Sequence, residues 1–212
     1  MLRDARLLAV RDELGTDALD AGASDAFAVA DHQIAHIYIK DAARVSDIRA
    51  IVSNVPGVER VLDRREQQAI GLDHERSGDL VAISEASSWF TYCYWLDDNR
   101  APDFARTVDI HRKPGYDPVE LFIDPALRAP KAKIGLTLLR RQLGFRGLME
   151  VTPLDATLVR GSHGRVTTDV DESPLVATQS GDLLPAIQLA APEVFDVLLA
   201  HLGLTAAGYG SR

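Results

Sequence analysis

The sequence has little cysteine and no surplus of basic residues. A single cysteine, Cys93, occurs among 212 residues, which excludes an internal disulfide and any Cys-x-x-Cys metal site. The 23 lysines and arginines are outnumbered by 31 aspartates and glutamates, and the net charge is −8. Because such a chain lacks the basic surface that neutralises a phosphate backbone, nucleic acid is not an expected partner.

Long apolar runs and several common site motifs are also missing. No stretch approaches the about 18 consecutive apolar residues of a membrane span, and the first residues, "MLRDARLLAVRDELG", are charged throughout, unlike a signal peptide. The sequence contains no GxGxxG, GxxxxGK[ST], HExxH or GxSxG motif, so dinucleotide, P-loop, zincin and hydrolase-elbow functions have no support. We expect a cytoplasmic protein with no membrane partner.

The first part of the chain predicts a mixture of helices and strands. Over all 212 residues, 46% are apolar and 25% are charged, which is average for a globular chain. "LRDARLLAVRDELG" has leucines on one helical face with Gly15 as a stop, whereas "AFAVADHQIAHIYIK" alternates as a strand does. "DAARVSDIRAIVSNVPG" predicts an amphipathic helix that ends before Pro56 and Gly57. With the short strands "VERVLD" and "GDLVAISE", residues 26–87 are predicted to form a small α+β lobe.

The second part, residues 88–212, begins with an aromatic run and a proline-rich, charged stretch that predicts an extended, turn-rich segment. "KAKIGLTLLRRQLGF" has helical spacing and Gly144 as a stop, and "APEVFDVLLAHLGL" predicts a terminal helix. Leu175 to Thr178 form a short apolar run that is expected to be a sheet strand.

Two motifs could provide metal ligands. In "GSHG", glycines on both sides of His163 leave room for an ion near the main chain, although an exposed turn histidine would look the same. Asp31 and His32 offer a carboxylate and an imidazole that suit zinc or manganese. Adjacent strand residues point to opposite faces, so a joint ligand role requires the strand to end there. If the strand continues, His32 shares a face with His36 and the group can be an ordinary polar patch.

A third cluster of functional groups lies in "VDIHRKPGYDP". Acidic, basic and hydrogen-bonding side chains beside a glycine turn suit a site for a phosphorylated or otherwise anionic group. His111, Lys113 and Tyr116 are therefore candidate substrate contacts. A charged surface loop with internal salt bridges is the alternative.

In this order, the segments from Ser24 to the end resemble the C-terminal half of the alkaline phosphatase superfamily. The resemblance is to its type I phosphodiesterase/nucleotide pyrophosphatase branch and to the related phosphonoacetate hydrolases. It rests on "AFAVADHQIAHIYI", "RSGDLVAIS", "GSHG" and "APEVFDVLLAHLGL". It implies an α/β fold, specifically the C-terminal portion of an α/β/α sandwich with a small α+β lobe.

The resemblance also implies a two-metal, usually di-zinc, site at the end of a sheet, with a threonine or serine nucleophile. The histidine of the family's G-x-H-G motif is a metal ligand and corresponds to His163, with Gly161 and Gly164 forming its turn. Asp31 and His32 are weaker candidates for the Asp-His-Gly ligand motif. Gln33 stands where that motif has glycine, and an alignment that treats this segment as the strand after the motif is favoured.

The family's nucleophile and its other metal ligands precede the region that this chain resembles. We therefore expect residues 1–212 to be a single partial domain, encoded by a truncated open reading frame or by one part of a split gene. The expected function is the C-terminal part of a metal-dependent phosphoric ester hydrolase of the phosphodiesterase/nucleotide pyrophosphatase type, incomplete alone. The resemblance implies zinc as its divalent metal and a small phosphorylated substrate. The missing N-terminal half or a second copy would be its partner. The alternative is a non-catalytic binding or partner subunit derived from that fold.

Overall fold

The computed structural model describes residues 1–108, 113–115, 117–167 and 169–204. They divide into two units, Met1–Val166 and Thr167–Arg212. The first unit contains two antiparallel sheets and three α-helices, and the second contains one α-helix. Within the described ranges, no helix is long and apolar enough to cross a membrane. The chain is thus mixed α/β, as predicted, whereas the α/β/α sandwich stays a prediction.

The N-terminal segment forms a β-hairpin, so the predicted helix is wrong. Strand β1 (Ala9–Glu13) pairs with β2 (Thr16–Asp20). Between them, Leu14 and Gly15 have φ angles of +54° and +89°. Two successive residues with positive φ produce the tight turn whose twist matches that of paired strands. The leucines that resembled a helical face are instead buried ahead of the hairpin, at Leu2, Leu7 and Leu8.

A four-stranded antiparallel sheet forms the centre of the first unit, in the order β3-β4-β6-β5. Its strands are β3 (Ala26–Asp31), β4 (Ile34–Ile39), β5 (Val58–Leu62) and β6 (Leu80–Ser84). The two short strands predicted for the lobe are confirmed as β5 and β6. The segment predicted as one strand is a hairpin, in which β3 and β4 are joined by His32 and Gln33.

Two helices accompany this sheet. Helix α1 (Val45–Ser53) is the predicted amphipathic helix, and it buries Ile48 and Val52 in the core. It ends before Pro56, as the sequence indicates, because proline has no amide hydrogen to continue the helical bonding. Helix α2 (Arg64–Gln68) begins at a capping box formed by Asp63 and Glu66. The predicted lobe, residues 26–87, contains all of these elements.

After the sheet, the first unit continues through turns to helix α3 (Pro130–Gln142), which confirms the predicted helix. Gly144 has a φ of +86°, and the amide of Phe145 donates to the carbonyl of Arg140. This is the usual way for a glycine to close a helix C-terminus. Between β6 and α3 the described residues contain short 3-10 turns rather than paired strands, as the proline content predicts.

In the second unit, helix α4 (Glu193–His201) confirms the predicted terminal helix. The prediction of a strand at Leu175 to Thr178 is wrong, since these residues have no regular structure. Leu175 is 88% exposed, so its apolar side chain is not packed against a neighbouring element. Pro174, directly before the run, has no amide hydrogen to donate to a neighbouring strand. The Thr178 hydroxyl lies 2.6 Å from the imidazole of His201.

Candidate metal centre

The turn between β3 and β4 carries the first two candidate ligands. Asp31 is the last residue of β3, and His32 begins the turn with a φ of +55°. Histidine is among the residues that adopt this left-handed conformation more readily than most. Because the strand ends at Asp31, the carboxylate and the imidazole are no longer held on opposite faces. The structural condition for a joint ligand role is met.

The loop that contains His163 packs directly on this turn. The Gln33 amide donates to the carbonyl of His163 over 2.9 Å. A Cβ on Gly161 would lie 2.5 Å from the carbonyl oxygen of Ala86, a distance that no real side chain tolerates. Gly161 is therefore glycine because the backbone approaches a neighbouring carbonyl too closely for any side chain.

The second glycine of "GSHG" is required for a different reason. Gly164 has a φ of +104°, and a Cβ there would lie 3.0 Å from Ile34 Cγ2. The next residue, Arg165, forms an ion pair of 2.6 Å with Glu59 on β5. The loop is thus held at both ends, and His163 between them is directed to the β3–β4 turn.

Asp31, His32 and His163 form one cluster. Each offers a ligand atom, and these atoms all lie within 4.8 Å of one another. His163 Nε2 is 4.0 Å from Asp31 Oδ1, and the two imidazoles stack with centroids 4.1 Å apart. Two imidazoles and one carboxylate fit a divalent transition metal, and three protein ligands with one open position are typical of catalytic zinc.

Ser162, which the sequence analysis did not single out, supports this cluster. Its hydroxyl is hydrogen-bonded to Nδ1 of His32 at 2.6 Å. Such a bond to one ring nitrogen orients the imidazole and leaves the other nitrogen for a metal. Ser162 lies inside the "GSHG" motif, so its proximity to His163 was visible, whereas its contact with a residue 130 positions away was not.

The surroundings of His32 favour its neutral form. Partial burial lowers the pKa of His32, the neighbouring His163 lowers it further, and Asp31 opposes both. A lowered pKa keeps the imidazole neutral, which is the form that binds a cation. The side chains of His163 and Asp31 are 67% and 54% exposed, so the cluster is open to solvent on one side.

His36, the other histidine considered with His32, belongs to a different environment. It lies on β4, and its Nδ1 accepts a hydrogen bond from the Gly78 amide at 3.1 Å. Burial lowers the pKa of His36, and the nearby Arg64 contributes. Because the chain turns at His32, His32 and His36 do not lie on one face of a single strand. His36 serves instead as a hydrogen-bond acceptor inside the sheet.

Of the three predicted substrate contacts, Lys113 can be located. Its side chain is fully buried, with Nζ 3.0 Å from a Glu120 carboxylate oxygen and 2.6 Å from the Thr107 carbonyl. The ammonium is also 5.9 Å from the centre of the Tyr92 ring. In this position Lys113 is an interior ion-pair partner, and its contact with substrate stays a prediction. His111 and Tyr116 lie outside the described residues.

Comparison with known protein families gives a match to the first part of the chain. A family model described as type I phosphodiesterase / nucleotide pyrophosphatase matches residues 1–117, which is more than half of the 212 residues. The match includes Asp31 and His32 and ends before His163. No curated protein matches the chain.

Proposed function

We propose a function from the premise that this chain belongs to the type I phosphodiesterase/nucleotide pyrophosphatase family. The chain is the part of a metal-dependent phosphoric ester hydrolase that supplies one divalent cation site. The observation that carries this proposal is the convergence of Asp31, His32 and His163 to within 4.8 Å, across 131 residues of sequence. Membership of the family supports the reaction class, and the cluster supports the use of a metal.

The cation that fits best is zinc, with manganese as the alternative. Imidazole suits zinc, and one carboxylate beside two imidazoles resembles the three-ligand sets of zinc hydrolases. A bound cation of this kind would polarise a phosphoryl oxygen as a Lewis acid. The chain's own residues would hold it: Asp31, His32 and His163 would coordinate, and Ser162 orients His32.

The open side of the cluster is where a small phosphorylated substrate would enter. The half-exposed side chains of Asp31 and His163 leave the cation accessible to an ester oxygen. The β3–β4 turn and the "GSHG" loop lie behind the ligands and hold their backbones in place. The substrate-binding residues proposed from the sequence, His111 and Tyr116, remain part of this proposal.

Complete activity is proposed to need a further polypeptide. Two-metal phosphoryl transfer places the ions about 3.5–4 Å apart, each with ligands of its own. Within the described ranges, the three residues of the cluster are the one group of this kind. We propose that the nucleophile and the second ligand set come from an N-terminal half or a second copy, which completes the α/β/α sandwich. The second candidate function is a non-catalytic partner subunit, favoured because the described ranges contain a single group of this kind.

Hydrolysis of bis(p-nitrophenyl) phosphate with added zinc or manganese tests the proposal. The wild type is compared with His163→Ala and with His74→Ala, an exposed histidine that serves as a control. Activity that is lost in His163→Ala and kept in His74→Ala supports a hydrolase. Metal uptake without hydrolysis excludes a self-sufficient hydrolase, and it is the result expected both for a chain that needs a further polypeptide and for a partner subunit. A wild type that neither hydrolyses the ester nor takes up metal overturns both.

A further inference from the structure

Gln33 is a buried polar residue at the centre of the ligand-bearing segments. The residue is 4% exposed. Its side-chain amide nitrogen lies 3.1 Å from the carbonyl oxygens of Glu85 and Ala86 and 3.0 Å from that of Ser88. A buried amide that reaches three carbonyls in one turn fixes the position of that turn relative to its own backbone.

The backbone of Gln33 makes two further connections. Its N–H donates to the carbonyl of His163, and its carbonyl accepts from the Ser84 amide at 3.0 Å. One residue therefore bonds to the "GSHG" loop, to the end of β6 and to the turn that follows it. These are the segments that must keep their places if the ligands are to meet.

Residues 85–90, which we call the platform, touch both ligand segments. The Phe90 amide donates to the carbonyl of His32 over 2.7 Å, and the Trp89 indole donates to the carbonyl of Val159 over 3.0 Å. The platform's Ala86 carbonyl is the atom that excludes a Cβ on Gly161. Any movement of the platform is thus transmitted to His32 on one side and to the His163 loop on the other.

We propose that Gln33 is a positioning residue of the metal centre, which locks the platform between the two ligand segments. This inference rests on the proposed metal site. The side chain of Gln33 acts through the backbone, since its amide bonds to carbonyls of the platform. If the amide is removed, the Ser88 carbonyl keeps the Ser84 hydroxyl as donor, and the Glu85 carbonyl keeps the Ser88 amide. The Ala86 carbonyl under Gly161 loses its bond to Gln33, so the platform is no longer fixed by Gln33 at the point where it meets the His163 loop.

Gln67 provides a matched control for the substitution. It is also a fully buried glutamine, and its amide donates to the carbonyls of Gly78 and Leu62 at 3.1 and 3.3 Å. These contacts lie at the end of β5 and just before the start of β6, whereas the platform follows the end of β6. Gln33→Met and Gln67→Met each replace a buried amide with an apolar chain of similar length. Both are expected to lower the unfolding midpoint.

The two variants are compared first without metal, by NOEs between the rings of His32 and His163. The wild type and Gln67→Met are expected to show the NOE that the stacked rings imply, and Gln33→Met to lose it. Cobalt affinity, measured by calorimetry, is then expected to fall at least about 10-fold in Gln33→Met, the lower limit for outer-shell changes, and to stay unchanged in Gln67→Met.

Unchanged ring NOEs in Gln33→Met, or an equal loss in both variants, overturns the positioning role. A wild type that shows the NOEs and binds no cobalt refutes the metal proposal, and the NOEs of Gln33→Met then decide the positioning role alone. A drop in cobalt affinity in both variants also contradicts the inference, because it reports general loosening of the fold.

Discussion

Replacing Gly164 with alanine is a small change whose cost can be worked out from the structure. The position has a φ of +104°, and an alanine Cβ would lie 3.0 Å from Ile34 Cγ2 and 3.2 Å from Ile34 N. A residue with a side chain in such a backbone region costs about 1–3 kcal/mol. We expect Gly164→Ala to raise the free energy of the metal-bound state by this amount, because that state requires His163 in its native place.

The strain energy of Gly164→Ala can lower either the stability of the metal-free protein or its affinity for the cation, and experiment can distinguish the two. If the loop keeps its conformation without metal, the free energy of unfolding of the metal-free protein falls by the full amount. If the loop relaxes, the metal-free protein keeps its stability and the cation must restore the strained conformation. In that case a cost of about 1–3 kcal/mol lowers cation affinity about 5- to 150-fold.

Urea unfolding measures the loss of stability of the metal-free protein, and calorimetric titration with cobalt measures the loss of binding free energy. The two losses are predicted to add up to about 1–3 kcal/mol. Gly135→Ala in α3 is the control, because its Cβ would meet nothing within 4 Å. It removes a glycine from a helix interior and is expected to stabilise by about 0.5–1 kcal/mol. A Gly164→Ala protein that matches Gly135→Ala in both measurements would refute the argument.

Three further outcomes follow from buried or partly buried ionisable groups. Lys113→Met is expected to cost about 3–5 kcal/mol in urea unfolding, since it leaves Glu120 buried without its partner, and adding Glu120→Gln should recover much of the loss. Burial raises the pKa of Asp117 to about 7 from 3.8. Its folded state therefore loses stability as pH rises from about 4 to 7, and Asp117→Asn should be more stable relative to wild type at pH 8 than at pH 4. Because the pKa of His36 is lowered, wild type should lose stability as pH falls below about 6.5, and His36→Gln should lose less between pH 7 and 5.

Helices with clear stop residues were predictable from the sequence. The region of α1 has apolar residues at helical spacing and a proline and glycine directly after it, and α3 and α4 have similar patterns. Apolar residues at helical spacing identify the buried face of a helix, so neighbouring residues alone are enough to predict it. The N-terminal hairpin was missed because its turn, Leu14-Gly15, is not one of the common turn pairs. Leu2, Leu7 and Leu8, which lie ahead of the hairpin, imitate a helical face.

The β3–β4 turn was hidden by the sizes of the side chains. The buried residues are Ala26 and Ala30 before the turn and Ala35 and Ile37 after it, so the buried face changes from even to odd numbers. The larger Phe27 lies on the opposite face, where it stacks on Tyr38. Reading Phe27 with Ile37 made the alternation look continuous. The change of parity at small residues is the feature that indicates a hairpin.

The candidate ligands were each visible in the sequence, but their assembly was not. His163 was the firmest candidate, while Asp31 and His32 were ranked low because the strand was expected to continue. Their meeting depends on the left-handed φ of His32 and on a close approach across more than a hundred residues. Long-range packing of this kind leaves no periodic pattern in a single sequence. The buried position of Lys113 was equally hidden, because a charged loop looks the same whether it faces water or the interior.

Titration of the metal-free protein with zinc, followed by calorimetry, tests the central claim most directly. The wild type is predicted to bind one ion per chain. Asp31→Asn, His32→Gln and His163→Gln are each predicted to weaken binding by more than the about 10- to 100-fold typical of outer-shell changes. His74→Gln should bind as the wild type does. A His163→Gln protein that binds zinc with unchanged affinity and stoichiometry would contradict the account.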